Sequence, residues 1–358
     1  MDKNEVQEQA LKELNKHNRG TIALSMGVGK TLLGLKHMVD NYTDVFKVLV
    51  VAPKLSIFDS WKDDAEKFNL SYLLEHIDFT TYLSINKQDL DYDVIYLDEC
   101  HNLLQSHDLW LSKFKGKIVG LTGTPPKHAS SEKGKMVNTY CPVIYTYIID
   151  KAIEDKILND YRITVHTLSL DTNKTMLVKT KNKSWYTSEL NNYRYWTDRI
   201  MNASNGKEKQ IVSVMRMKAI MDYPSKEILA KKLIDSSNDK TLVFGNTQLQ
   251  ANRLCGYSYN SGNLQSEENL QLFKEDKISL LSCVLQLNEG VNIPNLKHGI
   301  ILHSYGNERK LRQRLGRMCR LNPDDTAIVD ILCYKNTVDE IWVTQALEDL
   351  DQTKINWL

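Results

Sequence analysis

Short apolar runs recur along this chain, separated by longer stretches in which apolar residues return at helical spacing. The first series falls at residues 22–24, 48–52, 94–97 and 118–121, and the second at 241–244, 279–282, 299–302 and 327–331. Runs with no polar alternation suit strands buried on both faces, and strands alternating with helices predict an α/β fold with parallel sheets. Two such series predict two tandem doubly wound domains, placed at 1–147 and 148–358. RITVHTLSL, residues 162–170, alternates and reads as a further strand. Residues 172–224 have another texture, rich in Lys, Asn, Tyr and Trp, with Trp185-Tyr186 and Tyr193-Arg194-Tyr195-Trp196. They read as a mostly helical, polar insertion in the second domain. Its aromatics are candidate stacking platforms or a wedge, with Trp196 assigned to the core.

The bulk numbers narrow the class. At 358 residues the chain suits two domains, and its hydrophobic share of 42% and charged share of 25% are those of an ordinary globular protein. A formal charge of +1 gives no global sign of nucleic-acid binding, so any basic surface has to be local. The six cysteines are scattered without a C-x-x-C pair, which points to free thiols in a reducing compartment rather than a zinc site or disulfide framework. The polar N-terminus does not read as a signal peptide, and no segment reaches the apolar length of a membrane span. A soluble, cytoplasmic protein without a membrane partner is expected.

SMGVGKT, residues 25–31, stands where the first apolar run hands over to a helical stretch. Gly27 and Gly29 allow a tight turn with inward N–H groups, and the helix N-terminus adds partial positive charge. In a phosphate loop Lys30 reaches the outer phosphates and the Thr31 hydroxyl holds Mg²⁺. Leu24 occupies the place where that pattern has its first glycine, and a plain glycine turn between strand and helix is the competing reading.

The run at 94–97 leads directly into Asp98-Glu99-Cys100-His101. Two acids at the end of a buried strand are costly without a positive partner, which Mg²⁺ on the phosphates at Lys30 and Thr31 supplies. Asp98 then holds the metal, and Glu99 orients or deprotonates the attacking water. Acids that merely begin a loop or cap a helix are the alternative.

Together the phosphate loop, the DECH box and Leu121-Thr122-Gly123-Thr124-Pro125 resemble motifs I, II and III of superfamily 2 helicases and translocases. The resemblance runs through nearly the whole chain in the family's order. Gln7 in VQEQAL resembles the adenine-reading glutamine, VLVVAPKLSIFDSWKDDAEKF resembles motif Ia, and Thr80-Thr81-Tyr82 resembles the Ib segment. KTLVFGNT looks like motif IV, NEGVNIP like motif V and QRLGRMCR like motif VI. SMGVGKT, APKLSIFDSW and AIEDKILNDYRITV are closest in style to the branch with the phage helicase UvsW, restriction translocases and Swi/Snf remodellers. The Asn, Lys, Ile and Tyr-rich composition suits a phage or viral genome, with the host cytoplasm as its compartment.

The resemblance implies two RecA-like domains with an ATP cleft between them, and ATP and Mg²⁺ as cofactors. It implies nucleotide contacts from Gln7, Gly27, Gly29, Lys30, Thr31, Gly290 and Asn292, with Thr31 and Asp98 on the metal. His101, Thr122, Thr124 and Gln313 are implied as coupling residues. Catalysis is assigned to Lys30, Asp98, Glu99 and two arginine fingers, Arg317 and Arg320. If residues 309–320 are helical, Gln313, Arg317 and Arg320 share one face while Leu311, Leu315 and Met318 share another. A solvated basic face is the other account of that run. Nucleic acid is implied across Pro53, Lys54, Thr81, Asn246 and Gln286, held by its phosphates. The resulting expectation is a monomeric, ATP-driven helicase or translocase acting on DNA rather than RNA, with partners in replication, recombination or repair. Its rivals are an RNA helicase and an ATP-switched clamp on nucleic acid or a protein complex.

Overall fold

All four apolar runs of the first series become strands. In chain order the elements are α1 (Lys3–Lys16), β1 (Arg19–Leu24), α2 (Lys30–Asp40), β2 (Val48–Ala52), α3 (Ser56–Lys67), β3 (Ile77–Thr81) and β4 (Val94–Asp98). There follow α4 (Asp108–Lys113), β5 (Lys117–Thr122), α5 (Glu132–Tyr140), β6 (Val143–Tyr147) and α6 (Ile149–Glu154). The strands pair in parallel in the order β3-β2-β4-β5-β1-β6. Helices cover the sheet because their apolar faces have nowhere else to go. On α3, for example, Ile57, Phe58, Trp61 and Ala65 recur at helical spacing and are all buried. A capping box between Asp2 and Glu5 starts α1, which buries Val6, Gln7, Ala10 and Leu14.

The computed structural model describes residues 1–25, 27–179, 183–284, 293–303, 311, 314, 321–322, 324–348 and 350–358. Their contacts form two units, Met1–Asn159 with Asn322–Asp324, and Asp160–Leu321 with Asp325–Leu358. The first unit therefore keeps residues 148–159, beyond the boundary read from the sequence. The cause is local: Asp155 accepts a hydrogen bond from the Tyr147 hydroxyl (2.7 Å) and pairs with the N-terminal ammonium (3.1 Å), tying α6 back.

In the second unit the elements are β7 (Asp160–Leu168), β8 (Met176–Lys179), β9 (Ser184–Thr187), α7 (Glu189–Met201), α8 (Gly206–Met221), α9 (Pro224–Ser236), β10 (Thr241–Phe244) and α10 (Gln248–Leu254). They continue with β11 (Ser258–Tyr259), α11 (Ser266–Lys274), β12 (Leu280–Cys283), β13 (His298–Ile301), β14 (Thr326–Tyr334), α12 (Val338–Leu347) and β15 (Ile355–Trp357). The sheet is again parallel, in the order β11-β12-β10-β13-β14-β7-β15. The alternating run at 162–170 is β7, second from the edge of the sheet between β14 and β15.

The insertion departs from its helical reading in one part. Residues 176–187 form an antiparallel hairpin, β8 with β9, before helices α7 and α8. Trp185 and Tyr186 are exposed on it, while Trp196 on α7 is half-buried. Glu189 anchors the insertion: buried at the start of α7, it accepts from the Asp171 and Ser225 backbone N–H groups and the Ser225 hydroxyl. The five described cysteines, Cys100, Cys141, Cys255, Cys283 and Cys333, are free and buried. Among the described residues no helix is long and apolar enough to cross a membrane.

Candidate nucleotide site

In the first sheet β5 lies between β4 and β1, so the C-terminal ends of these three strands adjoin. Crevices outside the carboxyl ends of parallel strands are where such sheets bind ligands. β1 ends in the glycine loop, β4 in Asp98 and Glu99, and β5 in Thr122. The motifs that lie far apart in sequence meet here for that reason alone.

The loop has the geometry its glycines permit. Gly27 and Gly29 sit at φ 89° and 92°, in the left-handed region that side chains disfavour. A Cβ on Gly29 would stand 2.7 Å from the Gln7 amide nitrogen. Gly29 caps α2 without a side-chain hydrogen bond, so the first-turn N–H groups keep their capacity to bind an anion. Gln7 is buried, donating to the Val28 carbonyl (2.9 Å) and accepting from Lys36 Nζ (2.9 Å), so it clasps α1 to the loop and to α2.

Glu99 is held by several partners. Lys30 Nζ stands 3.6 Å from Oε1, and the Thr122 hydroxyl donates to Oε2 at 3.1 Å. His101 Nδ1 lies 2.9 Å from that hydroxyl and 3.3 Å from Oε2, and the Thr124 N–H donates to the Thr122 oxygen at 3.1 Å. Because the hydroxyl proton goes to Glu99, His101 meets Thr122 as an Nδ1–H donor. Burial pushes the Glu99 carboxyl up, but Lys30, His101, the Thr122 hydroxyl and the Gly123 N–H together hold it below its ordinary value. The residue sits at φ 51°, a costly conformation for a side chain that the surrounding contacts fix.

Asp98 is held differently. Its Oδ2 accepts from the Trp61 indole N–H (2.9 Å) and its backbone carbonyl from the Tyr82 hydroxyl (2.9 Å). Burial, and then the neighbouring Glu99 charge, push this carboxyl up to about 6 against the pull of Trp61 and Lys30. Two further polar atoms, Ser25 Oγ and Thr124 Oγ1, are buried without a hydrogen-bond partner. A raised carboxyl beside orphaned hydroxyls fits a site that receives a cation and phosphate oxygens.

The other sequence candidates fall in two groups. Pro53 and Lys54 follow β2, Thr81 ends β3, and Asn246 follows β10, all at C-terminal strand ends. Gln286, Gly290, Asn292, Gln313, Arg317 and Arg320 lie outside the described residues. Arg314 is described and serves the core: its guanidinium lies over the Phe244 ring at 4.9 Å and donates to the His303 carbonyl at 2.8 Å. Leu311 is buried, as its helical spacing implies. Sequence reasoning missed Trp61, Tyr82 and Lys36. Trp61 and Tyr82 lie in the segments that resemble motifs Ia and Ib, but nothing in those segments signals a polar atom aimed at Asp98.

Residues 1–127 match the family model "Type III restriction enzyme, res subunit", and residues 225–322 match "Helicase conserved C-terminal domain". The chain belongs to the superfamily 2 helicases and translocases. It is 24% identical to the DNA 3'-5' translocase XPB2 of Sulfurisphaera tokodaii over 93% of this chain and 82% of that one. It is 23% identical to the transcript termination protein A18 of Yaba-like disease virus, over 97% of this chain and 76% of the relative. Among solved structures, the type ISP restriction-modification enzyme LlaBIII bound to DNA superposes with a TM-score of 0.65 at 16% identity. That match covers 99% of this chain and 31% of LlaBIII, so the chain spans about a third of that enzyme. The Hef helicase domain of Pyrococcus furiosus gives a TM-score of 0.52 at 17% identity, covering 95% and 97%. The two parallel-sheet units are thus RecA-like α/β domains. As a superfamily 2 motor the chain is an ATP hydrolase, in a family that generally uses ATP with Mg²⁺ and whose members bind nucleic acid.

Proposed function

We propose that this superfamily 2 motor is a DNA-directed translocase whose ATP is split at the joined ends of β1, β4 and β5. One observation carries the site: Lys30 and Glu99 face each other at 3.6 Å beside an Asp98 carboxyl raised to about 6. Gly27, Gly29 and the first turn of α2 cradle phosphate oxygens, and Lys30 leaves Glu99 to neutralise the outer phosphate. Thr31 and Asp98 would hold Mg²⁺, which would offset the charge on the phosphate oxygens. Glu99, kept ionised by its neighbours, takes the proton of the attacking water. The Thr122–His101 pair holds that carboxylate in place and relays its state to the loop at Thr124.

Gln7 contributes the adenine end, and Gly290, Asn292, Arg317 and Arg320 complete the nucleotide's surroundings with arginine charge for the transition state. Gln313 joins them in coupling. Pro53, Lys54, Thr81, Asn246 and Gln286 form the phosphate-reading track for nucleic acid. DNA is favoured by the names of the relatives, a DNA translocase and a restriction enzyme bound to DNA. A second reading, action on a transcription complex, is favoured by the transcript termination relatives.

The test is ATPase stimulation by duplex DNA, single-stranded DNA, forked DNA and RNA of matched length. Duplex DNA is expected to stimulate most. Stimulation by RNA alone would overturn the DNA reading, and no stimulation by any nucleic acid would favour a clamp or a protein-directed motor.

A further inference from the structure

Asp98 has two carboxylate oxygens, and one already has a partner inside the protein. Trp61 is completely buried on α3, and its indole N–H donates to Asp98 Oδ2 at 2.9 Å. The ring is fixed on two further sides. Gly34 of α2 leaves room for it, since a Cβ there would stand 2.5 Å from Trp61 Cη2, and Tyr96 of β4 meets it edge-on at 5.8 Å between centroids. A rigid indole with one donor and no rotational freedom is a means of fixing a carboxylate's rotamer. The Tyr82 hydroxyl holds the same residue by its backbone carbonyl, at 2.9 Å. Asp98 is therefore held at both ends, at its carboxylate by Trp61 and at its carbonyl by Tyr82.

We propose that Trp61 is a positioning residue for the cation at this site: its N–H fixes the rotamer of the Asp98 carboxylate that would hold Mg²⁺. The inference rests on the nucleotide reading above. Partners that orient metal-holding groups typically matter by 10–100-fold in metal affinity when removed. A residue that only packed the core would instead change thermal stability and leave the metal requirement alone.

The test compares wild type with Trp61→Phe, which keeps an aromatic ring and loses the donor. The probe is a fluorescent ATP analogue titrated with Mg²⁺ in a Glu99→Gln background, so that binding is read without turnover. The Mg²⁺ midpoint is expected to rise about tenfold or more, while analogue binding in EDTA stays as in wild type. High Mg²⁺ should then restore near-normal turnover in the single Trp61→Phe variant. A midpoint within twofold of wild type, in a variant whose melt shows it folded, overturns the proposal. If Trp61→Phe does not fold, replacing Trp61 with benzothienylalanine, an isostere with sulfur in place of the N–H, is judged by the same midpoint. Asp98→Ala serves as the control for the underlying reading. If Asp98→Ala leaves the Mg²⁺ midpoint unchanged, the metal assignment itself fails; if only the Trp61 variant leaves it unchanged, the positioning role fails.

Discussion

Two buried aspartates on parallel strands, Asp98 of β4 and Asp330 of β14, are treated in opposite ways by their surroundings. Asp330 pairs in register with Ile300 and Thr164, so His298 and His166, each two residues away on the flanking strands, share its face. Their imidazoles bond both its oxygens at 2.7 Å. Burial alone would raise its carboxyl, yet the two histidines hold it down to about 2. Asp98 has an indole donor and the Glu99 backbone N–H, but also an acidic neighbour and a lysine shared with Glu99, and it stands at about 6. A satisfied acid is a structural strut. An acid left short of positive charge in a crevice of orphaned hydroxyls is a receptor. Perturbation of that sign beside converging polar groups marks a functional site more specifically than burial does.

The largest effect is expected from Glu99→Gln, which keeps the shape and removes the base. Steady-state ATPase should fall by about 10²–10⁴-fold, with binding of the ATP analogue retained. A normal rate would return Glu99 to the class of structural acids.

Next come matched substitutions of the two aspartates. Asp330→Ala strands two histidines and should cost on the order of 3–5 kcal/mol, read as a lower midpoint in urea, while ATPase per folded molecule persists. Asp98→Asn should abolish ATPase and leave the melt unchanged or higher, because ionising a buried, under-partnered acid is itself unfavourable. Equal destabilisation by both would break the contrast.

A smaller effect follows from pH. The folded value of Asp330 lies below that of an unfolded aspartate, so between these values the unfolded chain holds more protons. Its stabilisation is complete above about pH 4 and lost as pH falls through about 2, with roughly 2–3 kcal/mol at stake. The Asp330→Ala variant should show a flatter acid limb in unfolding curves. An identical limb would mean that the histidines do not hold the carboxyl down.

The smallest effect concerns the opposite kind of charge, the exposed Lys54. Lys54→Ala should weaken DNA binding about equally on unrelated sequences and flatten the salt slope by about one. A strong preference for one sequence, insensitive to salt, would replace phosphate contact with base readout at this end of β2.

What could be read from the sequence follows from what local pattern encodes. Short, mainly apolar runs identified β1, β2, β4, β5, β10, β12, β13 and β14, because strands buried for most of their length need little polar alternation. β3 and β6, IDFTT and VIYTY, escaped that reading: both lie at the edges of their sheet, and their mixed residues face partly outward. The hairpin of β8 and β9 escaped because its lysines, threonines and aromatics carry no helical or strand period that survives exposure on one face. Gly27, Gly29, Lys30, Asp98 and Glu99 were legible because phosphate chemistry demands those residue types at those spacings.

The sequence by itself thus determined two parallel-sheet domains and a loop and acid pair suited to ATP. Only the tertiary structure decided the strand order that sets β5 between β1 and β4. That order puts Thr122 and His101 on Glu99 and brings the α3 indole to Asp98. Hydrogen bonds between residues 37 positions apart, as in Trp61 and Asp98, depend on how helices lie across a sheet. Periodicity reports which face of an element is buried, and not which polar atom on that face will find another.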